Sequence, residues 1–435
     1  MSEPIEVTDL SPMEGLTHDE LEWLADLQGH LRSSDHQIRL GETEREEDFV
    51  ISRDARGKWW TGRYIGEIAY NGRRLRITPR LGDDKIIEWM AGALNLAAVP
   101  ETATHTGSDA FIARLMAAVW CRAVDTASRH GPPAFRRVRE HEGLYVRGRF
   151  DPRRTARLRG RGSPHVASET RPRDLDNDIS RTLVVAERVL SQHIGSTTWR
   201  TPRVRQVLPQ LIEAVGARPR LPRESDLGRI RYTPITRPFK AVAELSWRIA
   251  QQQGFAVAQQ PGRAEGLLLD VAELWELFLL HCMRRALPRL RVEHGTTAGD
   301  DAHLLESRSD PGKRIGRLKP DILIRDGGEV VGVFDAKYKQ LANRWPDRRD
   351  GIDRADLYQL TTYLARHDPL GQAAGGLLYP RDDDRKSRAT AEDAGPWRAP
   401  TGSHIQFVQV SHDEQAAVRE LGEMLASSGV VEAGI

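Results

Sequence analysis

The segment KPDILIRDGGEVVGVFDAKYK, residues 319–339, holds two apolar, β-forming runs on either side of Asp326-Gly327-Gly328. A turn cluster between two such runs predicts a hairpin. With the turn centred on Gly328, Asp321 stands opposite Asp335, β-carbons roughly 5 Å apart. Alternate strand residues share a face, so Lys337 lies beside Asp335. Two facing carboxylates repel unless positive charge lies between them. A divalent cation meets that need, and Mg²⁺ favours one or two carboxylates with water and phosphate oxygens. The Lys337 amine would then orient or help deprotonate the attacking water and stabilise developing phosphate charge. This is the chemistry of phosphodiester hydrolysis. Asp-x-Lys by itself is common as a surface ion pair; the second aspartate across the hairpin favours the catalytic reading.

Other residues support that site. Glu276 sits in Leu274-Trp275-Glu276-Leu277-Phe278, where a buried carboxylate needs a cation or amine as partner. It is the expected further metal ligand or water-positioning group, with Glu273, one turn earlier, as the alternative. Gln359 and Tyr363 are four apart on an expected helix and point the same way. Standing alone they would read as simple surface and core residues; beside the hairpin they are expected to shape the site or touch the substrate's phosphate backbone. Lys339 shares the strand face of Lys337, further along, as a phosphate contact.

The elements that must position these groups form the last third of the chain. Apolar spacing predicts helices over residues 241–252 and 266–287, the latter apolar almost all round and therefore buried. Strands follow at 321–325 and 330–338, then a helix over 353–366, strands at 376–379 and 405–410, and a helix over 413–426. That order describes an α/β domain whose strands share one sheet. Upstream, helices are expected over 17–31, 85–96 and 109–129. The stretch GRYIGEIAYNGRRLRITPR, residues 62–80, reads as a β-ribbon turning at Asn71-Gly72. Residues 136–173 are arginine-rich and interrupted by Gly and Pro, which reads as a solvated connector or a phosphate-contact surface. Helices at 178–189 and 207–215 complete the middle.

Pro320-Asp321, Asp335-Ala336-Lys337 and Gln359-x-x-x-Tyr363 together resemble the PD-D/E-x-K nuclease superfamily, the last element resembling its RecB-like branch. More of the chain, from about residue 60 to 380, resembles one family within it. This is McrC, the nuclease subunit of McrBC-type, modification-dependent (type IV) restriction systems. The ribbon from Ile65 to Ile77-Thr78-Pro79-Arg80, the Arg147-Gly148-Arg149-Phe150-Asp151 block and Leu274-Trp275-Glu276-Leu277-Phe278 carry that likeness. So does Asp176-Asn177-Asp178-Ile179-Ser180-Arg181-Thr182-Leu183, although Ser180 stands where the family has asparagine. The resemblance implies Mg²⁺-dependent cutting of DNA that carries modified cytosine, and docking of the N-terminal part on a ring-forming AAA+ GTPase (an McrB-like hexamer). It assigns reading of the modified base to that partner.

Composition is compatible. The chain has 435 residues, 39% hydrophobic and 29% charged, which suits a multidomain globular protein. Lys+Arg at 64 against Asp+Glu at 62 gives +2, so nucleic acid would be met by local patches rather than by overall charge. Two cysteines leave no disulfide framework, and no membrane span is expected; a cytoplasmic location follows. Gly57-Lys58 and Gly312-Lys313 are followed by Trp59 and Arg314, so neither makes a phosphate-binding loop and NTP hydrolysis must come from another chain. The expected architecture is α/β (α+β overall) in three parts. A mixed, partner-docking domain spans 1–150, an Arg/Pro-rich connector with helices 151–240, and a PD-D/E-x-K nuclease domain 241–435. On this division the ribbon at 62–80 should be removable without unfolding the nuclease domain. Two rival functions are a RecB-like repair nuclease working with a helicase and a non-catalytic adaptor that activates the AAA+ partner.

Overall fold

Alternating β-formers around Asn71-Gly72 build the first sheet. The computed structural model describes residues 4–31, 37–38, 48–93, 108–251, 262, 264–295, 302–310, 312–339, 352–381 and 395–428. The chain begins with β1 (Ile5–Thr8), α1 (His18–His30), β2 (Gln37–Ile38), β3 (Ile51–Arg53) and β4 (Trp59–Thr61). Next come β5 (Tyr64–Tyr70), β6 (Arg73–Thr78) and α2 (Asp83–Ala93). The two turn residues both take positive φ, Asn71 at 45° and Gly72 at 79°, the conformation a two-residue hairpin requires. β5 and β6 are the middle of a sheet ordered β1-β6-β5-β12-β2, in which β12 (Glu265–Asp270) arrives from far downstream. Trp23, Leu24 and Leu27 of α1 pack on Tyr64, Ile68, Tyr70, Leu75 and Ile77.

The ribbon is therefore core, whereas its deletion was expected to abolish partner stimulation and leave the nuclease domain folded. β5 runs antiparallel to β12 over six residue pairs, from Glu265↔Ala69 to Asp270↔Tyr64. The backbones approach so closely at Gly66, where φ is +136°, that a β-carbon would lie 2.2 Å from the Leu267 carbonyl oxygen. The chain also divides elsewhere than expected: Met1–Ala98 with Val257–Ile435 forms one unit, and Val99–Ala256 the other. Boundaries at 150 and 240 fall inside the second unit, because sequence order could not reveal a strand returned across the whole insertion.

That second unit contains α3 (Ser108–Ala127), β7 (Phe135–Arg136), β8 (Arg139–Gly143), β9 (Arg149–Phe150), α4 (Pro152–Gly160), β10 (Val166–Thr170) and β11 (Arg173–Asp174). Helices α5 (Asp178–Ile194), α6 (Pro202–Val215), α7 (Glu224–Gly228) and α8 (Phe239–Ala250) follow. Its core is helical. The Trp120 indole donates to Ser246 Oγ at 2.8 Å and meets Trp199 edge-on. The arginine-rich stretch is folded, not a bare connector: β8, β10 and β9 form one small sheet, β11 and β7 another. Asp151 caps α4, and Arg154 reaches Glu140 at 2.6 Å and Glu142 at 2.8 Å. Those acids offset part of the positive charge of the stretch, whose charge density hid the alternation of its strands.

The chain re-enters the first unit through β12 and α9 (Val271–Ala286). A single helix over 266–287 was expected; its first five residues are instead the β12 strand, and buried Asp270 caps the helix behind it. Its Oδ1 accepts from the amides of Ala272 (2.9 Å) and Glu273 (3.3 Å), while Oδ2 meets Arg63 Nε at 3.1 Å. The remaining elements are β13 (Arg291–Glu293), β14 (His303–Glu306), β15 (Arg314–Arg317), β16 (Ile322–Asp326), β17 (Glu329–Ala336), α10 (Arg354–His367), β18 (Ala374–Pro380), β19 (Trp397–Arg398), β20 (His404–Val410) and α11 (Glu414–Ser427). Six of these strands make a mixed sheet ordered β13-β16-β17-β18-β20-β19. β17, β18 and β20 are parallel, and α10 supplies the crossover between the first two. It lies so close on the sheet that a β-carbon at Gly375 would meet Leu364 at 2.7 Å. The α/β class, α+β over the whole chain, is as expected.

Candidate active site

The hairpin reaches the expected register by an unexpected route. At its tip Asp326 pairs with Glu329 around a two-residue turn, with φ of 56° at Gly327 and 113° at Gly328. That register alone would put Asp321 and Asp335 on opposite faces of the sheet. A bulge intervenes. Arg325 pairs with Val330 but Ile324 with Gly332, so Val331 is the extra residue. Beyond it, Leu323↔Val333 and Ile322↔Phe334 lead Asp321 to Asp335 as the hairpin rule anticipates. The Asp321 carboxylate accepts the Ala336 amide at 2.7 Å, which fixes it against the end of β17.

On the face covered by α10, Asp335 is almost wholly buried and ion-paired with Lys337 Nζ. Lys337 Nζ also donates to Gln359 Oε1 at 2.7 Å and lies 3.5 Å from Asp356 Oδ1. Gln359 Nε2 in turn donates to the Tyr363 hydroxyl at 2.8 Å. Gln359 and Tyr363 thus form one hydrogen-bond chain ending on the lysine. Lys339 lies beyond the end of β17; its amine is held by Asp356 and approaches Asp353 Oδ2 at 3.5 Å. Asp353 and Asp356 were not singled out from the sequence, although Asp356, three residues before Gln359, occupies the same helix face.

Both glutamates of α9, Glu273 and Glu276, are buried, and the one that meets the hairpin is Glu276. It gathers with His294 and Asp321 so that one ligand atom from each lies within 4.8 Å of the others, and His294 Nε2 is 3.6 Å from Glu276 Oε2. Among the described residues Glu273 belongs to no such group. The Trp275 indole donates to the Leu378 carbonyl at 3.2 Å, which pins the helix to β18 and sets its rotation. His294 escaped sequence reasoning because nothing in Arg291-Val292-Glu293-His294-Gly295 signals a ligand. It is delivered by backbone: the Gly295 amide donates to the Pro320 carbonyl at 3.1 Å, and a β-carbon there would sit 2.0 Å from that oxygen.

Electrostatics follow from this crowding. Burial raises the Asp335 carboxyl to about 7, and neighbouring Asp321 and Asp356 add to the rise against the opposing pull of Lys337. For Lys337, burial disfavours the charge, but the Asp335, Asp356 and Asp321 carboxylates outweigh it and hold the ammonium above its ordinary value. Burial, then Asp335, pushes the Tyr363 hydroxyl up to about 12. Lys337 is therefore a standing cation and hydrogen-bond donor. Two carboxylates and an imidazole in reach of one point, with more acid alongside, form a donor set that fits a divalent cation; the carboxylates suit Mg²⁺, and the imidazole also suits Mn²⁺ or Zn²⁺. No helix of the described residues is long and apolar enough to cross a membrane.

A family model described as "McrBC 5-methylcytosine restriction system component" matches residues 60–380. Among solved structures the chain is similar to a Thermococcus gammatolerans chain in the refined half-complex from a tetradecameric assembly of McrB AAA+ hexamers with bound McrC. The identity is 15%, the match covers 98% of this chain and 100% of that one, and the TM-score is 0.53, a likeness of fold. The cryo-EM structure of the Thermococcus gammatolerans McrBC complex matches at 17% identity over 66% of this chain and 88% of that one, with a TM-score of 0.36. Curated proteins gave no match.

Proposed function

Because the chain belongs to the McrBC 5-methylcytosine restriction system component family, we propose that it is the nuclease subunit of such a system, cutting DNA that carries modified cytosine. The observation that carries this reading is the convergence of Asp321, Asp335 and Lys337 at the end of one hairpin, with Glu276 and His294 alongside. Glu276, His294 and Asp321 would hold Mg²⁺, with Asp335, ion-paired with Lys337, on the adjoining side. When bound, the cation supplies Lewis-acid polarisation of the phosphoryl group and neutralises its charge.

The chain's own residues do the rest. The Lys337 ammonium, aimed by Gln359, stabilises negative charge that develops on the scissile phosphate. Asp335, buried and ion-paired with Lys337, would adjoin the cation and keep the ammonium beside the scissile phosphate, where it can also orient the attacking water. Tyr363 holds Gln359, and Lys339 flanks the site as a phosphate contact. An McrB-like AAA+ GTPase hexamer is the proposed partner; the solved assembly of similar fold joins McrC to McrB hexamers, and this chain lacks a phosphate-binding loop.

The decisive test is cleavage of methylated DNA by Asp335→Ala with the partner ring, GTP and Mg²⁺. Cleavage should be lost while stimulation of the partner's GTP hydrolysis is retained. Cleavage at the wild-type rate would remove the proposed centre, and a wild-type complex that never cuts would point to an adaptor.

A further inference from the structure

Just before Asp321 the chain leaves the six-stranded sheet and makes a separate two-stranded ribbon, β14–β15, closed at its base by the Leu318 amide on the Ala302 carbonyl at 2.8 Å. The pairs are His303↔Arg317, Leu305↔Ile315 and Glu306↔Arg314. Because side chains alternate, one face carries His303, Leu305, Ile315 and Arg317, with Lys313 next along it, since the Ser307 amide bonds the Lys313 carbonyl at 2.9 Å. Leu305 and Ile315 are 63% and 58% exposed. Isolated two-stranded hairpins are marginal in water, so a ribbon that keeps an aliphatic pair in solvent is built to meet something. On the other face Leu304 lies over Gly316, whose φ of +71° and 2.7 Å approach to Leu304 leave no space for a side chain and keep the ribbon thin.

Charge identifies the occupant. Residues 303–319 contain Arg308, Lys313, Arg314, Arg317 and Lys319 against Glu306 and Asp310. Arg314 approaches Glu306 at 3.8 Å, whereas Lys313 and Arg317 enter no ion pair among the described residues. A basic ribbon thus stands immediately before an acidic, cation-seeking centre on the same chain. We propose that β14–β15 is a DNA-groove element, in which Leu305 and Ile315 press into the duplex while Lys313 and Arg317 clasp the phosphates on either side. Two-stranded ribbons enter DNA grooves, and aliphatic wedges flanked by arginine are a recurrent means of gripping a duplex without reading its sequence. Attached to Asp321 through Lys319-Pro320, the ribbon sets where along the duplex the cut falls. The choice of DNA as occupant, like this last consequence, rests on the DNA-cleavage reading.

The test uses the full-length chain and a fluorescently labelled duplex, with anisotropy titrations from about 50 to about 200 mM salt. Lys313→Ala/Arg317→Ala should weaken binding about tenfold at low salt and reduce the salt slope by about two counterions. Leu305→Ser/Ile315→Ser should weaken binding several-fold with the slope unchanged. Matching wild-type circular-dichroism melts establish that both variants fold. Wild-type affinity in both variants, or a wild-type chain that does not bind duplex at low salt, overturns the proposal. So does loss of self-association in sedimentation with affinity per protomer unchanged, which makes the ribbon an interface between two copies. A cleavage assay run beside the titrations separates the two readings: wild type that binds through the ribbon but never cuts sinks the nuclease reading alone, whereas ribbon variants that bind and cut normally sink only this one.

Discussion

Asp335 concentrates the conflict between function and stability. Its folded carboxyl value, about 7, lies above the ordinary 3.8, chiefly through burial and next through Asp321. The fold therefore prefers the protonated form. The stabilisation this confers is complete below the ordinary value and is lost as pH rises through the folded one. Lys337 stays charged across that window and does not alter the sign. Metal-free Asp335→Asn should thus outlast wild type by up to about 4 kcal/mol near pH 8, the rise from 3.8 to about 7 taken at about 1.4 kcal/mol per pH unit, and come close to it near pH 4. Urea melts at the two pH values check this, and a variant less stable than wild type near pH 8 would count against it. The two aspartates and Lys337 were legible because hairpin alternation is local. Their juxtaposition nonetheless depends on the Val331 bulge, which compensates for a turn one residue tighter than the centring on Gly328 assumes. His294 was not legible, since its place is set by Gly295 docking on Pro320, a contact between segments with no common pattern.

At the level of elements, the site is held by a chain of backbone contacts that begins in the ribbon. β5 pairs with β12, and β12 ends in Asp270, which caps α9 and meets Arg63; α9 in turn carries Glu276. Helix periodicity announced α9 but overran its start, because a buried strand and a buried helix are both continuously apolar. Gly66 is the tightest link. Alanine there would need φ of +136° and would drive its β-carbon against the Leu267 carbonyl. Gly66→Ala should cost about 3 kcal/mol or more through strain and lost strand pairing. It should also weaken divalent-cation binding although residue 66 is no ligand. Thermal melts with and without Mg²⁺ read both effects. An unchanged melting temperature would mean that the β5–β12 pairing does not support the site.

Over the whole molecule, the six-stranded sheet and the ribbon sheet both belong to one unit that the chain leaves and re-enters, and the other unit has a helical core of its own. That layout was hidden from the sequence, where order along the chain suggested an N-terminal docking domain ahead of the catalytic one. It also changes where docking should be sought, since the ribbon is committed to holding β12 and α9. Among the described residues of the unit spanning 99–256, which are 108–251, no strand is drawn from the rest of the chain: the sheets β8-β10-β9 and β11-β7 close among themselves. Trp120, Leu183, Leu190 and Phe239 are fully buried there. Expressed alone, this polypeptide should unfold in one cooperative transition with an m-value suited to a domain of its size. It should stimulate GTP hydrolysis by the partner ring without cutting DNA, as measured by phosphate release and a cleavage assay run side by side. Stimulation confined to the complementary unit would return docking to the β1-β6-β5 face, and the ribbon would then serve both as scaffold for Glu276 and as contact with the ring.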